Sequence, residues 1–184
     1  MAIHKTEQQI NKEYAVIKKA KKDPAAFEPL YNQYFNQIYR FVFNRVGNYD
    51  LTNDLTSLVF LKAMDNIKKY KFKGVPFSAW LFRIAINEVN LYYRKSKKVR
   101  NISIDQVNLK SMMTEIEEHD KEEKIKQMFK AMNHLSEEAM NMIQLRYFEK
   151  YSFKQIGAFY GITENNAKVK VYRIIDKLKK LMGQ

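Results

Sequence analysis

The chain has 184 residues, enough for one ordinary domain or two small ones, and its 46% apolar share can fill a core. Five Gly and three Pro are too few for the frequent turns of an all-β protein, so helices are expected. Lys and Arg number 33 against 20 Asp and Glu, a net +13. That excess predicts a polyanionic partner, nucleic acid before an anionic membrane surface, with a merely solubilising surface as the alternative. The absence of cysteine excludes a disulfide framework, a thiolate nucleophile and a Cys-type zinc site. The opening MAIHKTEQQI lacks a signal-peptide core, and no run approaches the roughly 18 apolar residues that would span a bilayer, so no membrane insertion and a cytoplasmic location are expected.

In chain order, residues 1–22 read only as a basic helical extension. Asp23-Pro24 is a helix start, a capping carboxylate before a residue preset for the first turn. Phe27, Leu30, Tyr31, Tyr34, Ile38, Phe41 and Val42 then recur at three- and four-residue steps on one face, and Gly47-Asn48 ends that helix. A second helix is predicted over 51–70, with Leu55, Val59, Ala63 and Ile67 as its stripe. After a loop through Gly74 and Pro76, a third carries Phe77, Trp80, Leu81, Ile84, Ala85 and Leu91 inward and ends in the basic run Arg94-Lys95-Ser96-Lys97-Lys98.

Charge divides the chain further. Residues 1–97 carry 17 basic and 8 acidic groups, residues 98–124 carry 5 and 7, and residues 125–184 carry 11 and 5. The acidic middle, poor in aromatics, reads as a flexible linker over 99–120 between domains at 23–98 and 121–184. Beyond it, helices are predicted over 122–133, after the Ser136 cap with Glu137 and Glu138 in the first turn, after Ser152 in the capping-box pattern Ser152-x-x-Gln155, and after Thr163 to 181. The expected fold is all-α, two small helical bundles on a tether.

Residues 152–173, SFKQIGAFYGITENNAKVKVYR, form a helix-turn-helix pattern. Gly157 is small where two helices approach, and Gly161 can take the positive φ of the turn. Ala167, Val171, Ile174 and Leu178 form the inner stripe of the second helix. Its outer face, with Lys168, Lys170, Tyr172 and Arg173, suits the DNA major groove. Basic residues complementing the helix dipole are the alternative, and they account for Lys177, Lys179 and Lys180 better than for Lys168 and Lys170.

Three stretches resemble a known family: DPAAFEPLYNQYFNQIYRFV at 23–42, DLTNDLTSLVFLKAMDNIKKYKFKGVPFSAWLFRIAINEV at 50–89, and LSEEAMNMIQLRYFEKYSFKQIGAFYGITENNAKVKVYR at 135–173. The first two are similar to the sigma-2 domain of sigma-70 family RNA polymerase sigma factors and the third to its sigma-4 domain. With nothing sizeable between, the resemblance is to the extracytoplasmic-function group. It implies a non-catalytic subunit that directs promoter-specific initiation, with core RNA polymerase (the β′ coiled coil and β flap), promoter DNA and an anti-sigma factor as partners, and with neither cofactor nor metal.

The resemblance assigns polymerase binding to Asp54, Ser57, Leu58, Leu61, Lys62 and Asp65, although Ser57-Leu58 stands where the family usually has Gln and an acid. It assigns capture of a base flipped from the −10 element to Phe72, Lys73 and Asn87. An aromatic replaces lost stacking and basic residues follow the backbone, though a lone Phe is more often core. The spacing from Phe72 to Trp80 is one residue shorter than the family's commonest, so base identity does not transfer. Trp80 and Arg83 read as structural, Trp80 as core. The −35 duplex falls to Thr163, Lys168, Val169, Tyr172 and Arg173, and Ile175 replaces a frequently basic residue. In the linker, Glu115, Glu117, Glu118 and Asp120 are expected either to mimic nucleic acid near the polymerase active site or to be a plain solvated tether. A helix-turn-helix regulator acting on duplex DNA without polymerase remains the rival reading. The scattered His4, His119 and His134 offer no grouping for an enzyme acting on nucleic acid.

Overall fold

A computed structural model of the protein describes residues 7–72, 75–96, 127–128 and 130–183. Lys73 and the whole predicted linker, with its four acidic candidates, lie outside the described residues. Among those described, all regular structure is helical. The chain divides into two compact units, one within 3–103 and the other within 104–184.

The front unit contains α1 (Glu7–Ala20), α2 (Glu28–Val46), α3 (Tyr49–Asn66) and α4 (Phe77–Ser96). Asp23 accepts from the backbone N–H of Ala25 and caps a 3-10 turn, Pro24–Phe27, that runs straight into α2. Gly47, at φ 62°, ends α2 in the left-handed conformation, and Asn48 caps α3 by accepting from the Leu51 N–H. The second helix stops at Asn66, short of the expected 70, and passes into a 3-10 turn, Ile67–Lys69. There the Asn66 amide turns back onto the Lys62 carbonyl and competes with the helical ladder.

The core lies between α2, α3 and α4. Leu30, Ile38, Phe41, Val42, Val59, Ala63, Phe77, Leu81, Phe82, Ala85 and Val89 are essentially excluded from solvent. Tyr31 stands at the edge of its stripe and stays exposed, its ring against Phe35 and Phe60. On α4, Trp80, Ile84 and Leu91 are half-buried instead of inward, and Phe82, Ile86, Val89 and Tyr93 take the buried positions. One turn after Phe77, Trp80 lies about 60° around the helix from Phe77 and about 100° from Leu81.

Helix α1, from the N-terminal extension, is part of this unit. Ile10, Ile17 and Ala20 of α1 are buried, and so is Glu13 between them. The Glu13 carboxylate accepts from the Tyr34 hydroxyl and from the backbone N–H of Phe77 at 2.9 Å. That amide belongs to the first residue of α4 and has no partner within the helix, and the carboxylate meets it at the positive end of the helix dipole.

The rear unit has helical residues at 127–128 and 130–133, then α5 (Glu137–Ile143), a π-helical stretch Gln144–Phe148, α6 (Phe153–Tyr160) and α7 (Glu164–Leu181). Ser136, Ser152 and Thr163 cap α5, α6 and α7 by accepting from Ala139, Gln155 and Asn166 N–H groups. Gln155 completes the capping box on the Ser152 N–H at 2.9 Å. Ala167, Val171, Ile175 and Leu178 are the buried stripe of α7, and Ile174 is only half-buried. The four follow the helical period in steps of four, four and three. Ile175, read in the sequence only as a lost phosphate contact, is a core residue.

Candidate nucleic-acid interface

The turn between α6 and α7 depends on two glycines. Gly161 ends α6 at φ 71°, where a Cβ is disfavoured. A Cβ on Gly157 would lie 2.7 Å from the Ile162 carbonyl oxygen and 3.3 Å from the Glu164 nitrogen, both backbone atoms. The two helices therefore meet backbone to backbone, and α7 is held with its first turns outward. Thr163, Lys168, Val169, Tyr172 and Arg173 are all exposed on it. Val169 is 39% and Tyr172 47% exposed, large apolar side chains left partly open to solvent. The Tyr172 ring rests against Phe153 at 6.0 Å, and the Arg146 guanidinium lies 4.3 Å over Phe153. Arg146 also donates to the Tyr151 carbonyl at 3.0 Å, so the π-helical stretch braces the start of α6 under Tyr172. Lys170 differs from its neighbours: it pairs with Glu138 of α5 at 2.8 Å.

In the front unit, Phe72 and Asn87 sit on different features. Phe72 is half-buried on the loop between α3 and α4, its ring stacked on Tyr14 of α1 at 4.4 Å and 15°. Asn87 is exposed on α4 and lines a cleft of about 340 Å³ between α3 and α4, together with Lys62, Asn66, Lys69, Trp80 and Arg83. Phe72 is not part of that lining. Trp80 was read from the sequence as core; it is half-buried and forms a wall of the cleft, packed on Tyr70 and Phe77 at 5.3 Å each. Glu88, paired with Lys62, also lines the cleft; the indole, the two amides and the cations Lys69 and Arg83 are groups of the kinds that stack on a base, read its edge and hold a phosphate. At the loop's start, Tyr70 is buried, and burial first, the Glu13 charge second, push its pKa up to about 12.

The outer face of α3 gathers most of the remaining candidates. Asp54, Ser57, Leu58, Leu61 and Asp65 recur at three- and four-residue steps and are all exposed, Leu61 at 58%. Met64 joins them. Lys62 is the exception: it turns to α4 and pairs with the buried Glu88 at 2.7 Å. The sequence reading missed Trp80, Arg83 and Asn66 as cleft residues and α1 as a neighbour of Phe72. For the first group the available signal was phase: 66 lies off the buried stripe of α3, and 80 and 83 off that of α4.

Residues 30–99 match the Sigma-70 region 2 family and residues 131–180 the Sigma-70, region 4 family, together more than half of the chain. The ECF RNA polymerase sigma factor BldN of Streptomyces coelicolor is 27% identical over 159 residues, 85% of this chain. The chain spans 60% of that protein's length. The ECF RNA polymerase sigma factor SigM of Bacillus subtilis is 27% identical over 158 residues, 85% of this chain and 95% of its own. Among solved structures, the sigma factor RpoE of Bartonella quintana, in complex with the anti-sigma factor NepR, has the same fold with a TM-score of 0.59 at 20% identity, over 85% of this chain and 96% of its own. CnrH, in complex with the cytosolic domain of CnrY, gives 0.59 at 19% identity over 92% and 96%. With regions 2 and 4 both matched, and with relatives of this kind along most of its length, the chain belongs to the extracytoplasmic-function group of the sigma-70 family.

Proposed function

We propose that the protein binds core RNA polymerase and directs it to promoters, holding the melted −10 strand with its front unit and reading the −35 duplex with its rear unit. The polymerase performs the chemistry and this subunit lends it specificity. The observation that carries the reading is the exposure of Val169, Tyr172 and Arg173 along α7, on a helix-turn-helix whose backbones meet at Gly157. In a major groove, Lys168 and Arg173 are donors to phosphates or base edges, Val169 is an apolar contact for a thymine methyl group, and the exposed start of α7 at Thr163 receives a phosphate.

For the melted strand, Phe72 supplies stacking, Asn87 an amide for a base edge, and Lys73 a phosphate contact. The outward face of α3, with Asp54, Ser57, Leu58, Leu61 and Asp65, is the surface for the β′ coiled coil, and Lys62 joins it only by leaving Glu88. RpoE of Bartonella quintana is bound by an anti-sigma factor, and we assign this chain a partner of the same class. No helix among the described residues is long and apolar enough to cross a membrane, which agrees with a role in the cytoplasm.

Run-off transcription with core polymerase on a randomised promoter library tests the proposal. The chain is expected to select a two-part promoter, and core polymerase without it is expected to select none. Phe72→Ala is expected to lower permanganate reactivity at −10 with the −35 footprint intact. Arg173→Ala is expected to weaken the −35 footprint by about 1–3 kcal/mol. Duplex binding in the absence of polymerase, with no start-site selection in its presence, would overturn the proposal.

A further inference from the structure

Phe72 lies between the 3-10 turn that ends at Lys69 and the start of α4 at Phe77, and α1 with Lys21, the residue that follows it, makes three contacts there. On one side, the Lys21 ammonium donates to the Tyr70 carbonyl at 2.6 Å. On the other, the Glu13 carboxylate accepts from the Phe77 N–H at 2.9 Å. Between them, the Tyr14 ring lies flat on Phe72 at 4.4 Å. The first two contacts link residues 49 and 64 positions apart, so they tie Tyr70 and Phe77 to α1 and to the turn that follows it.

Anchoring α1 to the bundle does not require the third contact. Ile10, Ile17 and Ala20 are buried and already do that. Tyr14 and Phe72 are only half-buried, and their stack sits beside exposed cations: Lys18 lies 4.8 Å over the Tyr14 ring, and Lys71 precedes Phe72. Stacked aromatics beside lysines are the ingredients of a single-strand platform. A loop aromatic without a neighbour would lose rotamer and backbone freedom when a base arrives, whereas a ring already held flat has lost it beforehand.

We propose that α1 and the turn after it belong to the melted-strand site: Tyr14 is a positioning residue that holds the Phe72 ring flat for an unpaired base, while Lys21 holds Tyr70 and Glu13 holds Phe77 on either side of it. This extends the reading of Phe72 given above and rests on it.

The test uses the full chain with core polymerase, on the promoter that the wild-type chain selects from the randomised library. Tyr14→Ala and Tyr14→Leu are expected to lower open-complex yield about tenfold, and Tyr14→Phe to leave it near wild type. Affinity for core polymerase, the −35 footprint and the thermal midpoint are expected to stay unchanged in all three. Because Tyr14 acts through Phe72, the double variant Tyr14→Ala, Phe72→Ala is expected to open no worse than Phe72→Ala alone. Tyr14→Ala is also expected to flatten the preference among the four bases at the −10 positions, which a purely structural role would not do.

Wild-type opening by Tyr14→Ala or by Tyr14→Leu, with Phe72→Ala impaired, overturns the inference and leaves the reading of Phe72 standing. So do additive losses in the double variant, or losses that merely track a lower thermal midpoint. If Phe72→Ala itself opens normally, the reading of the loop fails, and this inference with it.

Discussion

Besides its local caps, the front unit has polar contacts that join residues far apart in the chain. Glu13 meets Phe77, Lys21 meets Tyr70, the Tyr93 hydroxyl donates to the Arg45 carbonyl at 2.6 Å, and Lys62 meets Glu88. In the rear unit the contacts that define the helix-turn-helix are local: Ser136 to Ala139, Ser152 to Gln155 and back, Thr163 to Asn166, Arg146 to Tyr151. The difference matches the two tasks proposed for the units. Presenting a preformed helix to a duplex groove needs little beyond good caps and one close approach of backbones. Holding an aromatic ring in place for a base that must first leave its stack is served by ties from elsewhere in the chain.

The largest expected effect tests the long-range side. Glu13→Ala strips a buried carboxylate from the Phe77 N–H and the Tyr34 hydroxyl and is expected to cost the front unit about 3 kcal/mol, since hydrogen bonds to a charged group are the strong ones and their orphaned partners stay buried. Hydrogen exchange read separately in each unit should place the loss in 7–96 and spare 130–183. An equal loss in both would break the contrast.

The same corner makes stability fall in alkali. Tyr70 goes from its ordinary 10.0 to about 12 on folding, chiefly through burial. Between those values the native state keeps a proton that the unfolded chain has released, so stability is full below pH 10 and lost as pH rises toward 12. Tyr70→Phe is expected to flatten the front unit's share of that loss in an exchange or thermal series across the window.

On the local side, Gly157→Ala is the most severe single change. Alanine is the better helix former, but its Cβ would meet the Ile162 carbonyl oxygen at 2.7 Å, and backbone cannot swing aside as a side chain can. A net loss of about 2 kcal/mol is expected, confined to the rear unit and accompanied by weaker −35 binding. Ser152→Ala removes one half of the capping box and is expected to cost about 1 kcal/mol in the same unit, read by thermal unfolding.

These two kinds of contact also decide what was legible in the sequence. Asp23, Asn48 and Gly47, Ser136, Ser152 with Gln155, and Thr163 announce their helices within four residues, and each does cap or end an element. The stripe of α3 was readable for the same reason, since periodicity is local, and so were those of α2 and α7 except at Tyr31, which is exposed, and at Ile174, where Ile175 is the buried residue. Nothing local marks Glu13 as buried: a carboxylate within a basic, polar segment reads as solvated until Tyr34 and Phe77 are brought to it. Trp80 escaped because size suggests core, whereas its phase on α4 puts it at the edge, on the wall of a cleft. Tyr14 gave no signal at all, since its partner is 58 positions away.

The smallest expected effect on stability concerns an ion pair that reaches α7. Glu138 and Lys170 meet at 2.8 Å with side chains 55% and 48% exposed, and a pair so open to water contributes less than about 0.5 kcal/mol. Glu138→Gln should therefore leave the thermal midpoint almost unmoved. Its effect on DNA is expected to be larger, because it removes a negative charge beside α7 and frees the Lys170 ammonium for a phosphate. Affinity for a −35 duplex should rise, and the slope of log K against log salt should steepen by about one. Glu138→Gln with an unchanged slope would mean that Lys170 stays turned to α5 even without its partner, and that the basic surface of α7 ends at Lys168 and Arg173. Lys170→Ala then distinguishes the two cases, since it costs affinity only if the ammonium reaches the phosphates.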